Sequence, residues 1–274
     1  MNIDTGSDKV LCTVADGVAT LTINRPEARN ALGDEVSPAI RRMIRHAAES
    51  DDVGALLITG AGTAFCAGGD VKGMNDNNGR ASPSMTPTER VADLKERQRL
   101  LTGAIVGIRK PTIAALPGAA AGAGLAIALA CDMRIAAASA FIATGYARIG
   151  LSGDYGISWL LTRAVGNARA RELMFLAERI DSAHCERYGL FNRVVPDAEL
   201  RDTATGIAQR LANGPRLAYA QIKNNLDDAM TCTYETAMDT EAERLVEAAQ
   251  HSDHKEAVKA FVAKRKPVFG RQPG

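Results

Sequence analysis

The sequence lacks the features that would direct it to nucleic acid, a membrane or a metal. Its 33 Lys+Arg offset 32 Asp+Glu, for a net charge of +1. That balance argues against a nucleic-acid or membrane-surface partner and still permits a local basic patch for a phosphorylated ligand. The five cysteines, Cys12, Cys66, Cys131, Cys185 and Cys232, are odd in number and widely spread, with no C-x-x-C. Neither a disulfide framework nor a zinc site is expected. His46, His184, His251 and His254 show no metal spacing, so no metal is expected. The longest apolar stretch, residues 112–131, is broken by Pro117 and by glycines and is not read as a membrane span. The first residues, Met1-Asn2-Ile3-Asp4-Thr5-Gly6-Ser7-Asp8, carry no charged-then-apolar signal pattern. The expectation is a soluble cytoplasmic protein. Gly60-Ala61-Gly62 lacks the G-x-G-x-x-G spacing of a dinucleotide site, and Gly150-Leu151-Ser152-Gly153 is one residue short of a nucleophile elbow.

With 274 residues and 46% hydrophobic content, the chain fits one large domain or a domain with an appendage. It is organised around residues 63–74, T-A-F-C-A-G-G-D-V-K-G-M. An apolar run, residues 53–59, precedes it and reads as a buried strand. Gly68-Gly69 lets the backbone turn without a Cβ in the way. Asp70 sits where a helix would start, a place that favours a carboxylate. Residues 111–124 repeat the design: a strand, a small-residue turn through Pro117-Gly118, then an apolar helix over 125–131 closed by Asp132. Two such turns, each feeding a helix N-terminus, can aim two backbone amides at one carbonyl oxygen.

Elsewhere, residues 10–14 and 18–23 read as a hairpin about Asp16-Gly17. A helix is expected over 33–48, and an amphipathic one over 89–108. Residues 75–88, with Asn-Asp-Asn-Asn-Gly and two Pro-centred triplets, read as a mobile surface loop or a lid. Short strands are expected at 133–136, 141–143 and 193–195, and helices at 169–176 and 183–188. No repeat of fixed period is found. Cys66 and Cys131 read as small core residues. Trp159 and Tyr155 are expected to pack in the core, with an acyl-pocket lining as the alternative. From about residue 200 the pattern is helical only, and Asp253-His254-Lys255-Glu256 has capping-box spacing. This segment cannot bury both faces alone and is expected to pack on another subunit.

Three blocks carry a resemblance. They are Asn24-Arg25-Pro26-Glu27-Ala28-Arg29-Asn30-Ala31-Leu32, Ala64-Phe65-Cys66-Ala67-Gly68-Gly69-Asp70-Val71, and residues 121–132, A-G-A-G-L-A-I-A-L-A-C-D. Residues 161–166, 188–196 and 261–266 add further matches. Together they resemble the crotonase superfamily (enoyl-CoA hydratase/isomerase), in the family's order over nearly the whole chain. The resemblance implies an α/β fold: a spiral of ββα turns over residues 1–200 holding an acyl-CoA site, and a C-terminal helical oligomerisation segment over 201–274. It implies a homotrimer or a dimer of trimers. No separate cofactor is implied, since coenzyme A enters as part of the thioester substrate.

By the family pattern the two oxyanion donors are the amides of Gly69 and Ala123. Each donor of this kind is worth about 3–4 kcal/mol to the transition state. The family's hydratases also carry two glutamates; here those positions hold Ala126 and Tyr146, neither able to do carboxylate chemistry. One acid remains, Asp154, where isomerases of the family place an acid/base aspartate. A single carboxylate can take a proton from one carbon and return it to another. Asp154 also reads as a cap for a helix beginning near Gly156, and Tyr146 as an alternative proton donor. The resemblance assigns coenzyme A contacts to Ala28, Arg29, Ala67, Asp70, Val71, Phe261 and Lys264, with Asp70 ordering its loop; a solvated surface charge is the plainer reading of Arg29, Lys72 and Lys264. The expected activity is acyl-CoA double-bond isomerisation. Enoyl-CoA hydration and acyl-CoA binding without turnover are the alternatives.

Overall fold

The computed structural model describes residues 1–70 and 85–270. The Asp-Gly hairpin is present: β2 (Val10–Ala15) pairs antiparallel with β3 (Val18–Ile23), and β1 (Asn2–Ile3) extends its edge. Asp16 and Gly17 both take positive φ, 51° and 78°, the mirror-image turn whose twist matches the strands. α1 (Val36–Glu49) turns Val36, Ala39, Ile40, Met43, Ile44 and Ala47 inward and packs on β3.

The chain then repeats one manoeuvre. A strand enters the main sheet, and a short strand leaves it for a second sheet. β4 (Ala55–Gly60) is followed by β5 (Ala64–Cys66), β6 (Thr112–Leu116) by β7 (Ala119–Ala121), and β8 (Met133–Ala137) by β9 (Phe141–Ala143). β10 (Ile180–Asp181) and β11 (Arg193–Val195) complete the pair. Among the described residues, one sheet has the order β1-β2-β3-β4-β6-β8-β11 and the other β10-β9-β7-β5. From β3 to β11 the first is parallel throughout, as are β5, β7 and β9 in the second. Parallel strands covered on both faces are apolar throughout, and β4 and β6 are buried along almost their whole length.

The helices fill the remaining layers. α2 (Pro87–Gln98) opens on a full capping box: Thr86 Oγ1 accepts from Glu89 N at 3.3 Å, and Glu89 Oε2 from Thr86 N at 2.7 Å. It runs through a wider turn, Arg99–Gly103, into α3 (Ala104–Gly107), so the expected single helix has an internal irregularity. α4 (Ala123–Ala130) is buried along its whole length and packs against strands of both sheets. Cys66 and Cys131 are core residues as expected, and burial pushes the Cys131 thiol up to about 12. α5 (Ile157–Leu176) starts earlier than its apolar spacing suggests; Gly166, with φ 75°, joins two helical pieces. α6 (Ser182–Arg187) is capped by Asp181.

α7 (Leu200–Ala212) lies on the main sheet and buries Leu200, Ala204, Ile207, Ala208 and Ala212. α8 (Arg216–Asp228), α9 (Tyr234–Gln250) and α10 (Ser252–Val262) follow as a chain of helices. They leave Leu226 64%, Leu245 71% and Phe261 85% exposed. α10 does not begin at the expected capping box: His251 Nδ1 accepts from Asp253 N at 3.2 Å, which places Asp253 inside the first turn. Among the described residues, no helix is long and apolar enough to cross a membrane.

Candidate active site

The spiral brings the two glycine turns together. Leu32 bridges to Gly69: its N–H donates to Gly68 O at 2.7 Å, and Asp70 N donates to Leu32 O at 3.2 Å. In extended backbone, successive N–H groups point to opposite sides, so the Gly69 N–H faces away from Leu32. Gly68 has φ 88° and sits against the second turn; a Cβ on it would lie 2.7 Å from Ala121 O and 3.4 Å from Ala123 N. Only glycine combines that dihedral with that approach. On the other side, Gly122 (φ 49°, ψ −124°) donates to Ala143 O at 3.1 Å and caps α4. Ala123 is the first residue of the helix, so its N–H has no intrahelical acceptor. Among the described residues neither the Gly69 nor the Ala123 amide is paired with a carbonyl. Both lie at the positive end of α4, where an anion is favoured.

The first turn is tied down by polar side chains. Asn30 is fully buried with φ 58°, a left-handed conformation that asparagine tolerates. Its Nδ2 donates to Ala61 O at 2.9 Å and Ala64 O at 2.7 Å, and its Oδ1 accepts from Arg25 N at 2.9 Å. Arg25 Nη1 meets Asp70 Oδ2 at 3.0 Å. Ala67 N donates to Arg29 O at 3.0 Å, so the 28–30 turn and the 67–70 turn form one unit. Ala28, Arg29, Ala67 and Asp70 are therefore neighbours, as the resemblance implied. Val71 and Lys72, and residues 75–84 of the expected loop, lie outside the described residues.

Beside the second turn stands a pair of side chains. A Cβ on Gly122 would lie 3.8 Å from the Tyr146 hydroxyl. Tyr146 is 6% exposed, and its hydroxyl donates to Asp154 Oδ1 at 2.6 Å. Burial, and then the Asp154 charge, push the Tyr146 phenol well above its ordinary range. Asp154 lines a cavity of about 630 Å³ between the α1 end and α2, with Gly33, Arg41, Leu94 and Tyr155 on its walls. α5 is capped at Gly156 without a side-chain hydrogen bond, and Asp154 supplies its main-chain carbonyl to Ile157 N at 3.1 Å. Ala126 is fully buried within α4.

Phe261 and Lys264 sit at the far end of α10, which packs on α9, and both are exposed. Tyr155 is buried as expected, but Trp159 is 49% exposed, with the Arg163 guanidinium 3.7 Å above its ring. Sequence reasoning missed Asn30 as the buried lock of the first turn. A polar residue before Ala31-Leu32 was its only signal.

The enoyl-CoA hydratase/isomerase family pattern matches residues 13–272. The chain belongs to that family. It is 36% identical over 260 residues to the 1,2-epoxyphenylacetyl-CoA isomerase of Escherichia coli, covering 95% of this chain and 97% of that protein. It is 34% identical over 250 residues to a short-chain-enoyl-CoA hydratase of Clostridium acetobutylicum, covering 91% of this chain and 92% of that protein. Among solved structures, an enoyl-CoA hydratase from Polaromonas sp. JS666 superposes with a TM-score of 0.87 at 33% identity, over 95% of this chain and 99% of that one. The two-sheet spiral is thus a crotonase fold, and the protein is an enzyme of acyl-CoA metabolism.

Proposed function

We propose that this family member is an acyl-CoA double-bond isomerase. The amides of Gly69 and Ala123 hold the thioester oxygen, so the enolate formed on loss of an α-proton is stabilised where its charge develops. Asp154 takes that proton from one carbon and returns it to another. The single observation that carries the reading is the carboxylate inventory beside the second turn: Asp154 stands there through Tyr146, while Ala126 and Tyr146 occupy the positions where the resemblance puts the hydratase glutamates. One carboxylate suffices for a shuttle; hydration calls for a base on water and an acid on carbon.

The Escherichia coli relative's name, an isomerase, supports this choice. The hydratase reading is favoured by the Clostridium relative's name. Coenzyme A is assigned to Ala28, Arg29, Ala67, Asp70 and Val71, with Phe261 and Lys264 reaching it from a neighbouring subunit. The exposed apolar faces of α8–α10 suit a homotrimer or a pair of trimers. The cytoplasm is the assigned location.

The test is kinetic. On a 3-enoyl-CoA, Asp154→Asn is expected to lower kcat by about 10²–10⁴-fold, the usual worth of a positioned acid/base. An unchanged rate overturns the assignment. Crotonyl-CoA separates the rival: loss of enoyl absorbance by wild-type protein at a rate above its isomerase rate favours the hydratase.

A further inference from the structure

We propose that Tyr146 is a positioning residue for proton transfer: its hydroxyl holds the Asp154 carboxylate in one orientation, and ionised, beside the second glycine turn. The inference rests on the reading of Asp154 as the proton carrier. It assigns a role to a residue that the family resemblance registers only as a lost glutamate.

The geometry carries it. The Tyr146 Oη to Asp154 Oδ1 distance is 2.6 Å, in the range of a short O–H to carboxylate bond. The ring is 6% exposed and its hydroxyl stands beside Gly122, 3.8 Å from where a Cβ would lie, which is ordinary packing contact. A tyrosine so enclosed has few ways to move its hydroxyl. The Asp154 backbone, by contrast, lies in a loop rich in unusual dihedrals: Gly153, Tyr155 and Gly156 have φ of 128°, 52° and 74°. In such a loop the direction of a short side chain is set by its hydrogen bonds, and the Tyr146 hydroxyl supplies one of them. The phenol is a donor here and not an acid in its own right, because burial and the neighbouring carboxylate both oppose its ionisation.

The sign of the pH effect follows. A donor to the charged form favours ionisation, so removing it raises the Asp154 pKa. Other charged groups face the same cavity: Asp34 and Arg41 from the α1 side, and Arg90, Asp93, Glu96 and Arg97 from α2. Asp93 and Arg97 pair at 2.7 Å. A Tyr146 substitution leaves all of these in place.

The experiment is the pH profile of kcat and kcat/KM for 3-enoyl-CoA isomerisation by the full-length protein. Tyr146→Phe is expected to move the acid limb up by about one pH unit. Its plateau kcat is expected to fall about tenfold, with KM within about twofold of wild type. 3-Fluorotyrosine at position 146, a more acidic donor, moves the limb the opposite way. If Tyr146→Phe matches wild type in limb and plateau while Asp154→Asn is inactive, the positioning role is overturned and the Asp154 reading stands. If Asp154→Asn isomerises at the wild-type rate, both fall. If Tyr146→Phe does not fold by circular dichroism, the fluorotyrosine protein decides: an unmoved acid limb overturns the proposal.

Discussion

The two glycine turns lie against each other and are held there by opposite means. The 67–70 turn is locked by polarity: Asn30 binds Ala61, Ala64 and Arg25, and Asp70 binds Arg25. The turn at Gly122-Ala123 is locked by closeness. Ala119–Ala121 pairs with strands on both sides, and Gly124 presses on the Cys66 carbonyl. A polar lock can be weakened one bond at a time. A steric lock has no slack, since interiors are packed near crystal density. The difference teaches where each turn is fragile, and substitutions can test it.

The largest effect is expected at the steric lock. A Cβ on Gly124 would run into the backbone and side chain of Cys66, and backbone cannot swing aside. Gly124→Ala is expected to cost about 3 kcal/mol, the upper part of the overpacking range. The measurement is the urea midpoint at constant slope. A variant as stable as wild type would mean that the turns are not held by contact at all.

Next comes the polar lock. Asn30→Ala leaves the Ala61 and Ala64 carbonyls and the Arg25 N–H without their partner in a buried place. A loss of about 2 kcal/mol is expected. Because the lock belongs to one turn only, kcat is expected to fall more than tenfold as the Gly69 amide loses its aim. Equal stability loss with unchanged kcat would show that the first turn does not depend on Asn30 for its geometry.

This contrast also explains what the sequence disclosed. Both turns were legible, because Gly68-Gly69 and the run 117–124 are small residues that follow apolar strands; the helix expected past Asp70 lies outside the described residues. The hairpin, α1 and the last strand were legible for the same reason: local pattern and local geometry agree. β5 and β7 were not, for three-residue strands, Ala-Phe-Cys and Ala-Ala-Ala, are too short to show a pattern and exist through their parallel neighbours. Asn30 was hidden because its partners lie 31 and 34 residues away. The Tyr146–Asp154 bond was hidden because the irregular backbone between them, with positive φ at Gly150 and Gly153, follows no helix or strand period. Trp159 was expected inside on its type, yet it lies partly exposed under Arg163.

A weaker effect is expected at the rim of the polar lock. Arg25 and Asp70 pair at 3.0 Å with side chains 24% and 29% exposed, so water screens much of the attraction. Asp70→Asn is expected to cost under about 1 kcal/mol, and less in high salt. On the proposed reading Asp70 orders its loop, so KM for the acyl-CoA is expected to rise while kcat changes little. A kcat loss as large as that of Asp154→Asn would make Asp70 a participant in the chemistry.

The smallest effect is expected at the second proposed donor, Ala123. If the second turn acts only through its backbone, the Ala123 methyl contributes nothing to the thioester. Ala123→Gly keeps the N–H and keeps the start of α4, at a cost of about 0.5 kcal/mol in helix preference. Its kcat is expected to stay within about twofold of wild type. Gly124→Ala, one residue on, adds a methyl that the packing cannot hold. Opposite outcomes from the same pair of side chains, one removed and one added, would locate the function in the main chain and the constraint in the space around it. A large kcat loss for Ala123→Gly, with the fold intact, would show instead that the methyl helps to fix the amide, and the steric lock would then extend to the donor itself.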